Sequence, residues 1–292
     1  MSKKLVVSIN GGGDLIVGPA QFAAQIEEDF GDDIEIALAC GASAGSLYVS
    51  QLIIGKKPKE IKAFLDAGIP EVFHPLNLME RLDLTHPKWD SDGLRKLLEE
   101  SLGKTRRCCD VEMPFCITAS NFTTGDLEIF TEKDTELLVT ACLASAAATT
   151  FFAPLPTSRG LLADGGFWCN NTALVGSFAA HNRLGIEYKD MLCLSLTTSG
   201  NYYKNPKLSA DGNLLIQEID PMLEFMLHAS DKAPEIYTRE LLHDNYLCIG
   251  PNNPHDFAID DLSQLNEFRK LWNDDVYVKH GDMVKMFLAQ TK

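Results

Sequence analysis

Ile34-Glu35-Ile36-Ala37-Leu38-Ala39-Cys40-Gly41-Ala42-Ser43-Ala44-Gly45-Ser46 is the stretch from which the fold is read. Its opening, Ile34 to Ala39, is a mostly apolar run of strand length. A Gly-x-Ser-x-Gly pattern follows, and Ser46 to Ile54 reads as a helix. Strand, sharp turn and helix in that order are the setting in which the pattern marks a nucleophile elbow. The glycines permit a backbone too tight for a Cβ, the serine hydroxyl stands above the sheet, and the helix turns its N–H groups and positive dipole end toward it. The same residues also fit a plain strand-to-helix connection with a buried serine, so the decision rests on partners elsewhere in the chain.

Upstream, Leu5-Val6-Val7-Ser8-Ile9 is a first β-rich run that stops at Asn10-Gly11-Gly12-Gly13, and a helical pattern spans Ala20 to Phe30. The order strand, glycine loop, helix, strand, elbow, helix begins an α/β fold with a parallel, crossover-connected sheet. A dinucleotide fingerprint fails because Ile16 occupies its third glycine position, and a phosphate loop fails because Pro19 follows Gly18. The loop does offer a row of N–H groups without side chains, suited to a developing oxyanion. A flexible turn is the blander reading.

Downstream, a short helix is expected to about Ala67. The aromatic, Pro-interrupted segment from Pro70 to Trp89 fits either a lid or packed loop, and Ser91 to Leu102 reads as a helix capped by an aspartate or serine. Pro114 to Ser120 and Leu127 to Phe130 read as paired strands, and Glu136 to Ala148 as an alanine-rich helix. Gly160 to Ala163 leads into Asp164-Gly165-Gly166, a turn that can aim a carboxylate or merely reverse the chain. A helix from Asn170 to Ala180, a strand from Met191 to Leu196, helices near 217–229, 261–272 and 275–289, and a strand from Tyr246 to Ile249 complete the pattern.

A net charge of −15 disfavours nucleic acid as a partner, and disfavours electrostatic docking on an anionic membrane while leaving apolar insertion open. No run approaches the roughly 18 apolar residues of a spanning helix, and the N-terminal apolar run is too short for a signal-peptide core, so a cytoplasmic protein is expected. The cysteines at 40, 108, 109, 116, 142, 169, 193 and 248 form no Cys-x-x-Cys pair and read as small buried hydrophobes in a reducing compartment.

Taken together, Gly11-Gly12-Gly13, Gly41-Ala42-Ser43-Ala44-Gly45 and Asp164-Gly165-Gly166 resemble, in order and spacing, the patatin-like phospholipase family of serine/aspartate-dyad lipid acyl hydrolases. Cys142 to Phe152, Asp164 to Ala173 and Ser195 to Gly200 look like further family segments, and the likeness runs from about residue 5 to 200. Asn10 stands where the family usually has aspartate, the basic residue of its opening loop is missing, and Ala148 and Thr172 replace two prolines.

The resemblance implies a three-layer sandwich with a mostly parallel central sheet, one domain over 1–292, with 201–292 completing the helices and a strand. It implies Ser43 as nucleophile, Asp164 as general base and Gly11, Gly12 and Gly13 as oxyanion donors, with the Ala44 N–H as a further candidate. The substrate would be phospholipid or another acyl ester, with transient contact to a membrane surface and no need of metal or cofactor. Three rivals stand beside it. A Ser-His-Asp α/β-hydrolase would draw on His228, His243, His255 or His280; a thioesterase would use the same dyad; a binding protein would keep the fold without the chemistry.

Overall fold

The computed structural model describes residues 2–31, 34–73, 87–149, 151–198, 219–252 and 257–292, with backbone alone for 219–224. Residues 74–86, Thr150, Ser199, Gly200 and His255, which include most of the aromatic segment, lie outside the described residues.

Strand β1 (Lys4–Ile9) leads through a short 3-10 turn into α1 (Val17–Phe30), then β2 (Ile36–Ala42), α2 (Ala44–Ile53), α3 (Pro58–Val72) and α4 (Ser91–Leu102). There follow β3 (Phe115–Asn121), β4 (Leu127–Phe130), α5 (Leu138–Ser145), β5 (Leu155–Thr157), β6 (Gly160–Asp164), α6 (Gly166–Cys169), α7 (Ala173–Leu184) and β7 (Met191–Leu196). The chain closes with α8 (Ile219–Leu242), β8 (Tyr246–Ile249), α9 (Leu265–Leu271) and α10 (Val278–Leu288). Among the described residues the strands form one sheet in the order β5-β6-β3-β2-β1-β7-β8, with β4 also paired to β3. The run from β3 to β8 is parallel, while β4, β5 and β6 add antiparallel pairs at one side.

Strand alternation sorts the helices into two layers. Leu5, Val7 and Ile9 point into a large core with Phe22, Leu47 and Leu65, so α1, α2 and α3 cover that face. Val6, Leu38, Cys40 and Cys193 point the other way, against Ala173, Ala180 and Leu242 of α7 and α8. The result is the expected mixed α/β sandwich, and the alternating faces are its cause.

Several element ends differ from expectation for identifiable reasons. Strand β2 continues through Gly41 and Ala42 because Ile9 pairs with Gly41 and Ala42 with Thr118. Helix α3 passes Pro70 because Ile61, Leu65, Ile69 and Val72 are buried along one side, outweighing the backbone bond that proline forgoes in the last turn. Helix α5 stops at Ser145, short of Ala148, because the Ser145 and Ala147 carbonyls accept the Gly165 N–H at 3.1 Å and the Asp164 N–H at 2.9 Å. Helix α7 begins at Ala173, where Asn171 Oδ1 accepts the Ala173 N–H at 3.0 Å. Helix α8 runs on to Leu242, well past 229. All eight cysteines are free, and Cys109 alone among them is exposed.

Candidate active site

The C-terminal ends of the parallel strands carry the site, as expected for an open α/β sheet with a topological switch. Sheet order reverses at β1: β2 and β3 lie on one side of it, β7 and β8 on the other. The glycine loop leaves β1 there, and Thr198 beyond β7 donates its hydroxyl to the Gly11 carbonyl at 2.5 Å.

Ser43 sits between β2 and α2 with φ 52° and ψ −131°. Among the described residues only His243 shares a positive φ without being glycine. A side chain held there costs of order 1–3 kcal/mol, so the surroundings must enforce it. A Cβ on Gly45 would overlap the Ile9 carbonyl oxygen, and one on Gly41 would lie 2.7 Å from the Gly45 carbonyl oxygen. The Ser43 N–H donates to Ser145 Oγ at 3.0 Å, and the Ser43 carbonyl accepts the Ser46 N–H and hydroxyl at 2.9 and 2.6 Å.

Register brings Asp164 to Ser43. Ala42 pairs with Thr118 on β3, so Ser43 stands at the height of Ala119, and Ala119 pairs with Asp164 on β6. One strand separates the two residues, and the intervening position is a small, buried alanine. Asp164 is 1% exposed. Its Oδ1 accepts the Gly166 N–H at 2.7 Å, while the buried Oδ2 closes no standard hydrogen bond among the described residues. Burial pushes its pKa up to about 7, and the adjacent Ser43 hydroxyl and the Gly166 N–H pull it part of the way back. No described histidine contributes to that balance.

The C-terminal end of α5 and the residues just beyond it grip both residues at once, since Ser145 Oγ holds the Ser43 N–H while Ser145 and Ala147 carbonyls hold Gly165 and Asp164. Sequence reasoning quoted Ser145 within a family segment but saw no role for it. It also missed a buried network below the glycine loop. Asp231 Oδ1 accepts from Asn10 Nδ2 and from Asn170 Nδ2, both at 3.0 Å, and Asn170 Oδ1 accepts the Gly11 N–H at 3.1 Å. Asn10 is intelligible on these terms: an aspartate there would set a second carboxylate against Asp231, whereas the amide donates to it.

The three glycines therefore differ. The Gly11 N–H is spent on Asn170, and a Cβ on Gly11 would lie 2.6 Å from Ser43 Cβ, so Gly11 acts as a spacer. The N–H groups of Gly12 and Gly13 meet no described acceptor. Both residues have positive φ, 153° and 57°, and a Cβ on either would overlap Thr198 or the Ile259 carbonyl. Among the described residues no cluster of His, Cys, Asp or Glu is arranged to hold a metal, and no helix is long and apolar enough to cross a membrane.

The family model described as patatin-like phospholipase matches residues 7–175. The chain belongs to the patatin-like phospholipase family. Within the family, it is 28% identical over 225 residues to a cGAMP-activated phospholipase of Escherichia coli (strain TW11681), covering 68% of this chain and 63% of that protein. It is 25% identical over 299 residues to a cGAMP-activated phospholipase of Vibrio cholerae, covering 87% and 83%. Among solved structures, VipD from Legionella pneumophila superposes with a TM-score of 0.52 at 13% identity, over 100% of this chain and 67% of that one; this likeness concerns the fold alone.

Proposed function

We propose that the protein is a lipid acyl hydrolase of phospholipase A type, acting as one domain over residues 1–292 through a Ser43–Asp164 dyad. The observation that carries this reading is a buried carboxylate with a pKa near 7, next to a serine hydroxyl on a strained elbow. A base titrating near working pH is both charged and strong enough to draw a hydroxyl proton.

Asp164 takes the Ser43 proton as Oγ attacks the ester carbonyl. The oxyanion that forms is met by the Gly12 and Gly13 N–H groups, with the Ala44 N–H at the start of α2 as a third donor. The C–O bond breaks, the leaving alcohol takes the proton from Asp164, and the acyl group remains on Ser43. Water then attacks the acyl ester, Asp164 accepts its proton, and the fatty acid departs as the proton returns to Ser43. No step needs a metal or cofactor.

A histidine-based triad has less support, because burial, Ser43 and Gly166 account for the state of Asp164. The test is labelling by a fluorophosphonate probe and hydrolysis of a p-nitrophenyl acyl ester, with and without cGAMP, since the relatives are named for that activator. Ser43→Ala should abolish both, and Asp164→Asn should lower hydrolysis about a thousand-fold or more with circular dichroism unchanged. An unlabelled Ser43 in folded protein under both conditions would favour the binding-protein alternative. Mass spectrometry of products from a mixed lipid extract, wild type beside Ser43→Ala, would separate phospholipid from thioester substrates.

A further inference from the structure

We propose that an exposed aromatic patch beside Asp164 is the surface by which the protein docks on a zwitterionic phospholipid bilayer, by apolar insertion. The proposal rests on the lipid acyl hydrolase reading. Phe167 and Trp168 follow Asp164-Gly165-Gly166 directly and lie on α6. The Phe167 ring packs 5.8 Å from that of Phe122 in the β3–β4 turn. The Phe122 N–H donates to the Leu161 carbonyl of β6 at 2.8 Å, and Trp168 Nε1 donates to the Gly125 carbonyl at 2.9 Å. Three separate elements are thus tied together, and Phe122, Leu161 and Trp168 remain 49%, 39% and 53% exposed.

Leaving such groups in water is unfavourable, and the cluster adjoins the candidate base rather than lying at random on the surface. The Trp168 N–H is already satisfied by protein, so the exposed part of the indole is hydrocarbon, as suits a membrane interface. Position supplies the second argument. Moving a lipid chain from bilayer to water costs roughly four-fold in equilibrium constant per methylene, so a long-chain ester is met where it lies. An enzyme acting on it needs its apolar contact close to the catalytic residues, and Phe167 and Trp168 lie three and four residues after Asp164, on the helix that Asp164 Oδ1 caps through the Gly166 N–H.

Charge decides the mode. The chain carries −15, and the hairpin that bears Phe122 also bears Asp126, while Glu128 is paired with Arg159, so attraction to anionic lipid is unfavourable. Docking should therefore be insensitive to salt and no stronger on anionic than on zwitterionic vesicles.

The experiment uses the full chain with phosphatidylcholine vesicles. Trp89 and Trp272 are 5% and 0% exposed, so the emission difference between wild type and Trp168→Phe reports the patch. It should shift to the blue on adding vesicles and be quenched by brominated lipid. Phe122→Ser, Leu161→Gln and Trp168→Ala, on three different elements, should each keep kcat/KM for p-nitrophenyl butyrate within twofold. Vesicle co-sedimentation and vesicle hydrolysis should fall about tenfold. Equal loss on soluble and vesicle substrates, an unmoved Trp168 emission, or binding that needs anionic lipid and vanishes with salt would each overturn the proposal. So would wild-type self-association relieved by these variants with vesicle binding intact, which would make the patch a protein interface. A wild type inert toward the soluble ester both with and without cGAMP overturns the hydrolase reading instead, while emission and co-sedimentation still judge the docking.

Discussion

Asp164 and Asp14 are both buried carboxylates, yet their surroundings give them different consequences. Burial raises Asp164 to about 7, so the charged base is lost as pH falls through that value. For the dyad proposed here, kcat/KM on a neutral ester should rise about tenfold per pH unit up to roughly pH 7 and then level. A profile flat from pH 5 to 8 would remove Asp164 from the role of base. Asp14 is fully buried, neither of its carboxylate oxygens has a hydrogen bond among the described residues, and burial with Asp260 and Asp261 nearby raises it to about 8, against a pull from Arg269. Its native pKa lies above the unfolded value of 3.8, so the folded state holds a proton that the unfolded chain releases. Its contribution to stability is complete below about pH 4 and is lost as pH rises toward 8. Asp14→Asn should therefore stabilise relative to wild type by an amount that grows from about pH 4 to about pH 8, by roughly 1.4 kcal/mol per pH unit, and then stays constant. Chemical denaturation at several pH values checks this; a pH-independent difference would contradict it.

At the scale of elements, the elbow works because its close neighbours leave no room for another backbone path. Gly45 lies against the end of β1, and a Cβ there would overlap the Ile9 carbonyl oxygen. Gly45→Ala should push α2 away from β1, lowering the denaturant midpoint and fluorophosphonate labelling together; normal labelling with normal stability would contradict the packing described. This element was legible in sequence because its grammar is local: an apolar run, two glycines around a serine and a helix all lie within about twenty residues. The clamp at the end of α5 was not legible. Ser43 and Ser145 are 102 positions apart, and Gly11 and Asn170 are 159 apart, so no window of sequence contains both partners. The premature end of α5 has the same origin, since strong helix propensity yields where tertiary partners claim the last carbonyls.

For the whole molecule, the segment beyond the family match, which ends at residue 175, supports the site from outside. Asp231 of α8 holds Asn10 and Asn170 together, and β8 extends the sheet beyond β7. Trp272, fully buried between α9 and α10, packs edge-on against Phe22 of α1 at 5.7 Å and leaves no room for a Cβ on Gly18. Trp272→Ala should cost about 3–5 kcal/mol of unfolding free energy, read from the denaturant midpoint. A loss under about 1 kcal/mol would mean that the C-terminal helices are not part of the same cooperative core.

Most of the order of strands and helices, the elbow pattern and the glycine loop were legible in the sequence, because each depends on a residue and its near neighbours, and likeness to a family nominated Ser43 and Asp164. Packing decided what those residues are able to do. The height match across β3, the diversion of the Gly11 N–H to Asn170 and the raised pKa of Asp164 arise only when distant segments exclude water and meet. Desolvation and register are properties of the assembled sheet, and no local stretch of chain contains them.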